Sequence, residues 1–200
     1  VAERAEREQQ NAELDDRLMT AVQAGDVSRL GDLFERHHRA LFNFFLRLSG
    51  GDRQMSEDMV QDVFLRMLKY RATYRPGSQF RTWMYHLARN VRIDKVRARP
   101  PEVELDTQTH DPVSGDAPPG DAVDRDQQSA ILRRALARLP EDKRELLILS
   151  RFQGLKYEQV GELLGCEVGA VKVRVHRAVK TLRAIVMDLT GERTSCSANS

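Results

Sequence analysis

The chain has 200 residues, of which 40% are apolar and 31% charged, enough for one medium domain or two small ones. Its formal net charge is only +2, so whole-chain charge argues weakly for a polyanionic partner and the distribution of charge has to carry that question. Two cysteines, Cys166 and Cys196, do not make a secreted disulfide framework; no apolar run approaches a membrane span, and residues 1–10 are charged where a signal peptide would be apolar. A protein of the reducing cytoplasm, without membrane insertion, is expected. Val1 fits either a non-AUG start codon or a trimmed methionine.

From the amino terminus, Leu14 to Ala24 and Arg29 to Leu48 carry apolar residues at helical spacing, with Gly25 and Gly50-Gly51 as stops. Ser56 reads as the N-cap of a following helix, with Glu57 and Asp58 in its first turn and Met55 stapled against Val60. Met59, Val60, Val63, Phe64, Met67 and Leu68 form the inward stripe of that helix. Glu57, Asp58, Gln61, Asp62, Arg66 and Lys69 are left on its outer face. Arg75-Pro76-Gly77-Ser78 interrupts the pattern as a loop, and helical spacing resumes at Phe80 with Trp83, Met84, Leu87, Ala88 and Val91.

Charge then changes sign along the chain. Between Lys69 and Arg99 nine basic residues face a single acid, Asp94, whereas Pro100 to Asp126 carries eight acids against Arg125. The latter stretch has five prolines and few large apolar residues, so it reads as a flexible acidic linker; a solvated face and a mimic of a nucleic-acid strand are equally good accounts of its acidity. Beyond it, Ile131 to Leu139 forms one helix, Pro140 opens another that runs to Phe152, and Gly154 stops it. Tyr157 to Leu164, a turn at Gly165-Cys166-Glu167 and a long helix from Val168 to Met187 have the layout of a helix-turn-helix. Val171, Val175, Ala178 and Leu182 point inward there. Lys172, Arg174, His176, Arg177 and Lys180 remain outside with no acid between Val168 and Ile185, a face suited to the major groove.

The basic run of the first half supports a second nucleic-acid surface. Arg81, Arg89, Arg92, Lys95 and Arg97 can track separated phosphates, and the loop from Tyr74 to Gln79 can receive a base that has left the stack. Phe80 and Trp83 fit base stacking, but their spacing favours the core; Tyr74 and Tyr85 are expected to be exposed. No catalytic residues are expected: Glu57, Asp58 and Asp62 have no histidine or phosphate loop beside them. No metal or other cofactor is expected either, because His37 and His38 diverge on their helix and the cysteines are unpaired in spacing. Cys166 reads as a small buried turn residue, while a redox role for Cys196 in the polar tail has no support.

Several segments together resemble a known family. Leu139-Pro140, Arg144-Glu145, Tyr157 through Gly165, and Val171 through Ala178 look like the carboxy-terminal promoter-reading domain of extracytoplasmic-function sigma factors of the sigma-70 family. Glu57 through Phe64 resembles the helix by which such factors grip the clamp helices of the polymerase largest subunit. Phe80 through Met84 and Leu87 through Asn90, with Asp94 and Arg97, resemble the adjoining minus-ten helix. The resemblance implies an all-α, non-enzymatic factor of two small helical domains joined by a flexible acidic linker. Its parts would be a leading extension (1–28), a region-2-like domain (29–99), the linker (100–127), a region-4-like domain (128–187) and a polar tail (188–200).

Implied partners are core RNA polymerase, through its clamp helices and flap region, promoter DNA, and the dedicated anti-sigma factor that many members have. Glu57, Asp58, Gln61, Asp62 and Arg66 are the implied polymerase contacts. Arg75, Arg81, Tyr85, Arg89, Asn90, Arg92 and Arg97 would serve the minus-ten element, and Lys172, Arg174, His176, Arg177 and Lys180 the minus-thirty-five element. Gly161 departs from the family, which usually has alanine there, at a cost of up to about 1 kcal/mol in helix propensity. Ala170 and Val173 stand where hydroxyl residues are frequent, so contacts through those hydroxyls would be missing. A helix-turn-helix repressor that binds DNA alone is the competing reading, but it gives no reason for a second basic surface and an acidic linker; an adaptor that binds only proteins leaves the basic final helix unexplained.

Overall fold

A computed structural model describes residues 2–98 and 122–191; the linker expected from residue 100, up to residue 121, and the end of the tail lie outside the described residues. Among the described residues the structure is helical, without strands. The first half contains α1 (Ala2–Gln23), α2 (Arg29–Leu48), α3 (Arg53–Lys69) and α4 (Phe80–Ala98). The second contains α5 (Ala122–Ala137), α6 (Glu141–Leu147), α7 (Tyr157–Leu164) and α8 (Val168–Thr190). Helix α5 reaches back into the stretch read as linker, where no proline or glycine follows Gly120 before Ile131.

In the first half α2 is the centre, packed on α1 and α3, with α4 closing against α3 and α1. Leu33, Leu41, Phe44, Phe45 and Leu48 are buried along it, at the i, i+3, i+4 spacing that puts them on one face. Asp15 fixes α1 to α2: its Oδ1 accepts from Arg36 Nε at 2.7 Å and its Oδ2 lies 2.9 Å from His37 Nε2. Burial alone would push the Asp15 carboxyl up, but His37 and Arg36 outweigh it and hold it below the usual carboxylate range.

Helix α3 begins one turn earlier than its sequence suggests. Asp52, directly after the Gly50-Gly51 stop, is the N-cap and accepts from Met55 N at 2.9 Å. Ser56 is buried inside the helix, with its hydroxyl on the Asp52 carbonyl. Glu57 and Asp58 therefore sit past the first turn, where the helix dipole does less for them.

In the second half α8 is the spine against which α5, α6 and α7 pack. The helix read as continuous to Phe152 is α6 followed by a wider π-helical turn, Ile148–Phe152. Gly165, at φ +64°, closes α7 in the left-handed conformation that the helix-turn-helix needs. Here Cys166 N donates to Gly161 O at 2.9 Å, and a Cβ at Gly161 would stand 2.6 Å from the Cys166 carbonyl oxygen. Glycine at this position thus answers to the turn and not to helix propensity. Cys166 itself is half-buried.

Candidate nucleic-acid interface

The outer face of α8 is arranged as its spacing predicts. Val171, Val175 and Ala178 are buried, Leu182 is half-buried against the core, and Lys172, Arg174, His176, Arg177 and Lys180 are all exposed. The short α7 and the turn at Gly165 set α8 on the surface, so these side chains can approach a duplex without disturbing packing.

Helix α4 is different, because the second half of the chain lies on it. Arg89 Nε donates to Glu145 Oε1 at 2.9 Å, Arg89 Nη2 reaches Glu145 Oε2 at 3.4 Å, and Arg89 Nη1 donates to the Leu163 carbonyl. Arg92 donates to Glu141 Oε1 at 2.6 Å, and Arg81 to the Gln153 carbonyl. Tyr85 is buried, contrary to the exposure expected of it, and its hydroxyl donates to Gln153 Oε1 at 2.7 Å; burial pushes this phenol up to about 12, so it stays a neutral donor. The π-helical turn before Gln153 directs that side chain at α4. Gln159 completes the contact, accepting from Lys156 N at 2.8 Å and donating to Thr82 Oγ1 at 3.0 Å. Of the seven residues expected at the minus-ten element, Arg75, Asn90 and Arg97 are exposed, whereas Arg81, Tyr85, Arg89 and Arg92 face the second half.

Glu141, Glu145, Gln153, Gln159 and Thr82 were not among the candidate site residues, although they occupy that face. A sequence signal was present: Glu141 and Glu145 are one turn apart on α6, as Arg89 and Arg92 are on α4, so two charged faces of opposite sign exist before any fold is known.

Tyr74 is also buried, at 2% exposure, and not exposed as expected. It meets Trp83 edge-on at 5.2 Å and Phe80 at 6.2 Å, and Phe80 is buried, in keeping with the core role favoured for it; Trp83 is half-buried. The loop that follows is a β-turn: Ser78 N donates to Arg75 O at 3.0 Å, Pro76 takes the second position and Gly77, at φ +79°, the third.

On the outer face of α3, Glu57 and Gln61 are exposed and Asp58 is half-buried, accepting from Gln54 Nε2 at 3.2 Å. Asp62 and Arg66 are tied to α4, by Lys95 Nζ at 3.3 Å and by Asp94 Oδ2 at 2.7 Å. Among the described residues there is no group of three or more potential metal-ligating side chains, and no helix long and apolar enough to cross a membrane.

The two halves match separate families: residues 33–100 match Sigma-70 region 2 and residues 129–182 match Sigma-70 region 4. The ECF RNA polymerase sigma factor EcfG of Rhodopseudomonas palustris is 34% identical over 72% of this chain and 77% of its own. The chain belongs to the ECF sigma factors of the sigma-70 family. The RNA polymerase sigma-H factor of Pseudomonas aeruginosa is 29% identical over 90% of this chain and 97% of its own. Among solved structures, the sigma factor RpoE in complex with the anti-sigma factor NepR from Bartonella quintana superposes with a TM-score of 0.63 at 26% identity, covering 78% of this chain and 95% of that one. As a sigma factor the chain is not an enzyme; it binds core RNA polymerase and directs initiation at promoters through minus-ten and minus-thirty-five elements.

Proposed function

We propose that this ECF sigma factor reads the minus-thirty-five element with the exposed face of α8, and the minus-ten element with α4 and the loop 74–79 once the second half has moved off α4. The observation that carries the reading is the α8 face itself, five exposed groups, four of them fixed cations, over a wholly apolar inner stripe. Arginine can bridge guanine O6 and N7 with a fixed fork, whereas lysine on phosphate adds affinity without sequence preference. Arg174 and Arg177 are therefore the specificity pair, and Lys172 and Lys180 anchor the backbone.

The polymerase contact is assigned to Glu57, Asp58, Gln61, Asp62 and Arg66 on α3. The parts of the chain are taken as 1–28, 29–99, 100–127, 128–187 and 188–200, and its place of action as the cytoplasm, where the polymerase is. A dedicated anti-sigma factor is a further partner, on the strength of the RpoE complex with NepR.

The test uses holoenzyme and a promoter pool randomised in the upstream element. Arg174→Ala with Arg177→Ala should relax preference at one or two positions by about 1 to 3 kcal/mol each, while Lys180→Ala should weaken all sequences alike and lower the salt slope by about one unit. Undiminished selection by the double arginine variant would overturn the assignment.

A further inference from the structure

Helix α1 makes three hydrogen bonds to residues 74–79 of the segment that follows α3, besides one from Gln23 Nε2 to the Ala72 carbonyl at 3.4 Å. Asp16 Oδ1 accepts from the Tyr74 hydroxyl at 2.6 Å and from Gly77 N at 2.8 Å, and Gln23 Nε2 donates to the Tyr74 carbonyl at 2.9 Å. Asp16 and Gln23 are seven residues apart, two helical turns, and so lie on one face of α1 with the buried Met19 between them. The phenol is pushed up by burial first and by the Asp16 carboxylate beside it, so it remains the donor.

These contacts do specific work. The turn Arg75-Pro76-Gly77-Ser78 has one backbone bond of its own, Ser78 N to Arg75 O, and a longer one from the Tyr74 hydroxyl to the Ser78 carbonyl at 3.3 Å, and Arg75 to Gln79 are all exposed. A loop that must recognise one extruded base needs its donors and acceptors held in place beforehand, because a loop ordered only on binding loses part of the interaction to its own ordering. One carboxylate oxygen shared by Tyr74 and Gly77 fixes the root and the tip of this loop to the same point. The Tyr74 ring, seated against Phe80 and Trp83, ties that point to α4.

We infer that Asp16, supported by Gln23, is a positioning residue for minus-ten recognition: α1 presets the loop 74–79 in the shape that receives a promoter base. The inference rests on the reading of that loop as the base-receiving element. It makes the leading helix a determinant of promoter stringency that acts through the loop 74–79.

The experiment compares holoenzymes carrying the full chain on a pool randomised across the minus-ten element. Asp16→Ala should lower discrimination at a single position by roughly tenfold, the weight of a hydrogen bond to a charged acceptor. Asp16→Asn keeps an acceptor oxygen and should restore most of it. Tyr74→Phe keeps the ring packing but removes the hydroxyl, and should give a partial loss at the same position even if Asp16→Ala folds poorly. Core-polymerase affinity and upstream preference should stay at parental values. Parental stringency in both Asp16→Ala and Tyr74→Phe, or an equal loss at every promoter position, would overturn the inference. A Ser78→Ala, Gln79→Ala variant separates the two levels: a changed minus-ten preference there with none in Asp16→Ala defeats the positioning role alone, whereas no change in either defeats the loop reading with it.

Discussion

Glu145 is the group whose loss should expose the minus-ten face. Its carboxylate meets two nitrogens of Arg89, at 2.9 and 3.4 Å, with the side chains 22% and 13% exposed for Arg89 and Glu145. The neighbouring Arg92–Glu141 pair is shorter, but Glu141 is 63% exposed, so solvent screens it to a surface value below about 1 kcal/mol. Breaking a buried pair by removing one partner costs about 3 to 5 kcal/mol; the residual exposure of Arg89 and Glu145 brings this to about 2. At 1.4 kcal/mol per decade, Glu145→Lys should shift the ratio of closed to open chain by roughly thirtyfold. Glu145→Gln, which keeps a hydrogen-bond acceptor, should shift it less. Two measurements on the free chain read the change: the radius of gyration by small-angle scattering, and affinity for a single-stranded oligonucleotide carrying the minus-ten sequence. Both should rise in the order parent, Glu145→Gln, Glu145→Lys, and added salt should shrink the differences in compactness. If Glu145→Lys retains parental helicity by circular dichroism and yet matches the parent in both measurements, the contact of α4 with the second half does not limit access to DNA.

Gly161→Ala sets two effects against each other: helix propensity gains up to about 1 kcal/mol, but the new Cβ meets the Cys166 carbonyl oxygen at 2.6 Å, and overpacking of this kind costs about 1 to 3. Thermal unfolding should show a net loss of about 1 to 2 kcal/mol, and a raised midpoint would refute the reasoning. Asp15 has a folded pKa below its ordinary 3.8, so its contribution is fully present above that value and disappears as pH falls through the lower folded value. Asp15→Asn should therefore cost about 2 kcal/mol near neutral pH and progressively less in acid, a difference that denaturant titrations across that range will measure; a gap unchanged by acid would contradict it. Reversing Asp62 to lysine removes a proposed polymerase contact and sets a like charge beside Lys95, so core-polymerase affinity should fall with little loss of fold; parental affinity in a titration would remove Asp62 from the interface.

The α8 face was legible because a single period decides it: once Val171, Val175 and Ala178 are inside, the positions of Lys172, Arg174, His176, Arg177 and Lys180 follow from 3.6 residues per turn. The start of α3 was not, because Asp52 and Ser56 are both good caps four residues apart and local chemistry cannot rank them; burial of Ser56 beside Ser49, at 3.2 Å between hydroxyls, decides in favour of Asp52. Tyr74 and Tyr85 failed for a different reason. A phenol is buried only when its hydroxyl has a partner, and here the partners are Asp16, 58 residues back, and Gln153, 68 residues on. No window of sequence contains either pair. The same distance hid the engagement of Arg81, Arg89 and Arg92: their charge was visible, but their partners lie across the linker, carboxylates that neutralise Arg89 and Arg92 and a backbone carbonyl for Arg81.

That neutralisation bears on how α4 can serve two partners in turn. A guanidinium forks onto a carboxylate and onto a phosphate with the same two parallel N–H groups, so Arg89 loses little bonding when Glu145 is replaced by nucleic acid. An interface held by apolar burial alone would have to re-expose its surface to water before DNA could bind, with no new partner to compensate. The contacts around α4 are charged or polar at Arg81, Thr82, Tyr85, Arg89 and Arg92, and each of these groups can find an equivalent partner on a nucleic-acid strand. The apolar burial that the two halves share is given up in full on opening, whereas for these polar groups exchange is set by the difference between two similar interactions. This is why a change of one carboxylate, at Glu145, is expected to be enough to move the balance.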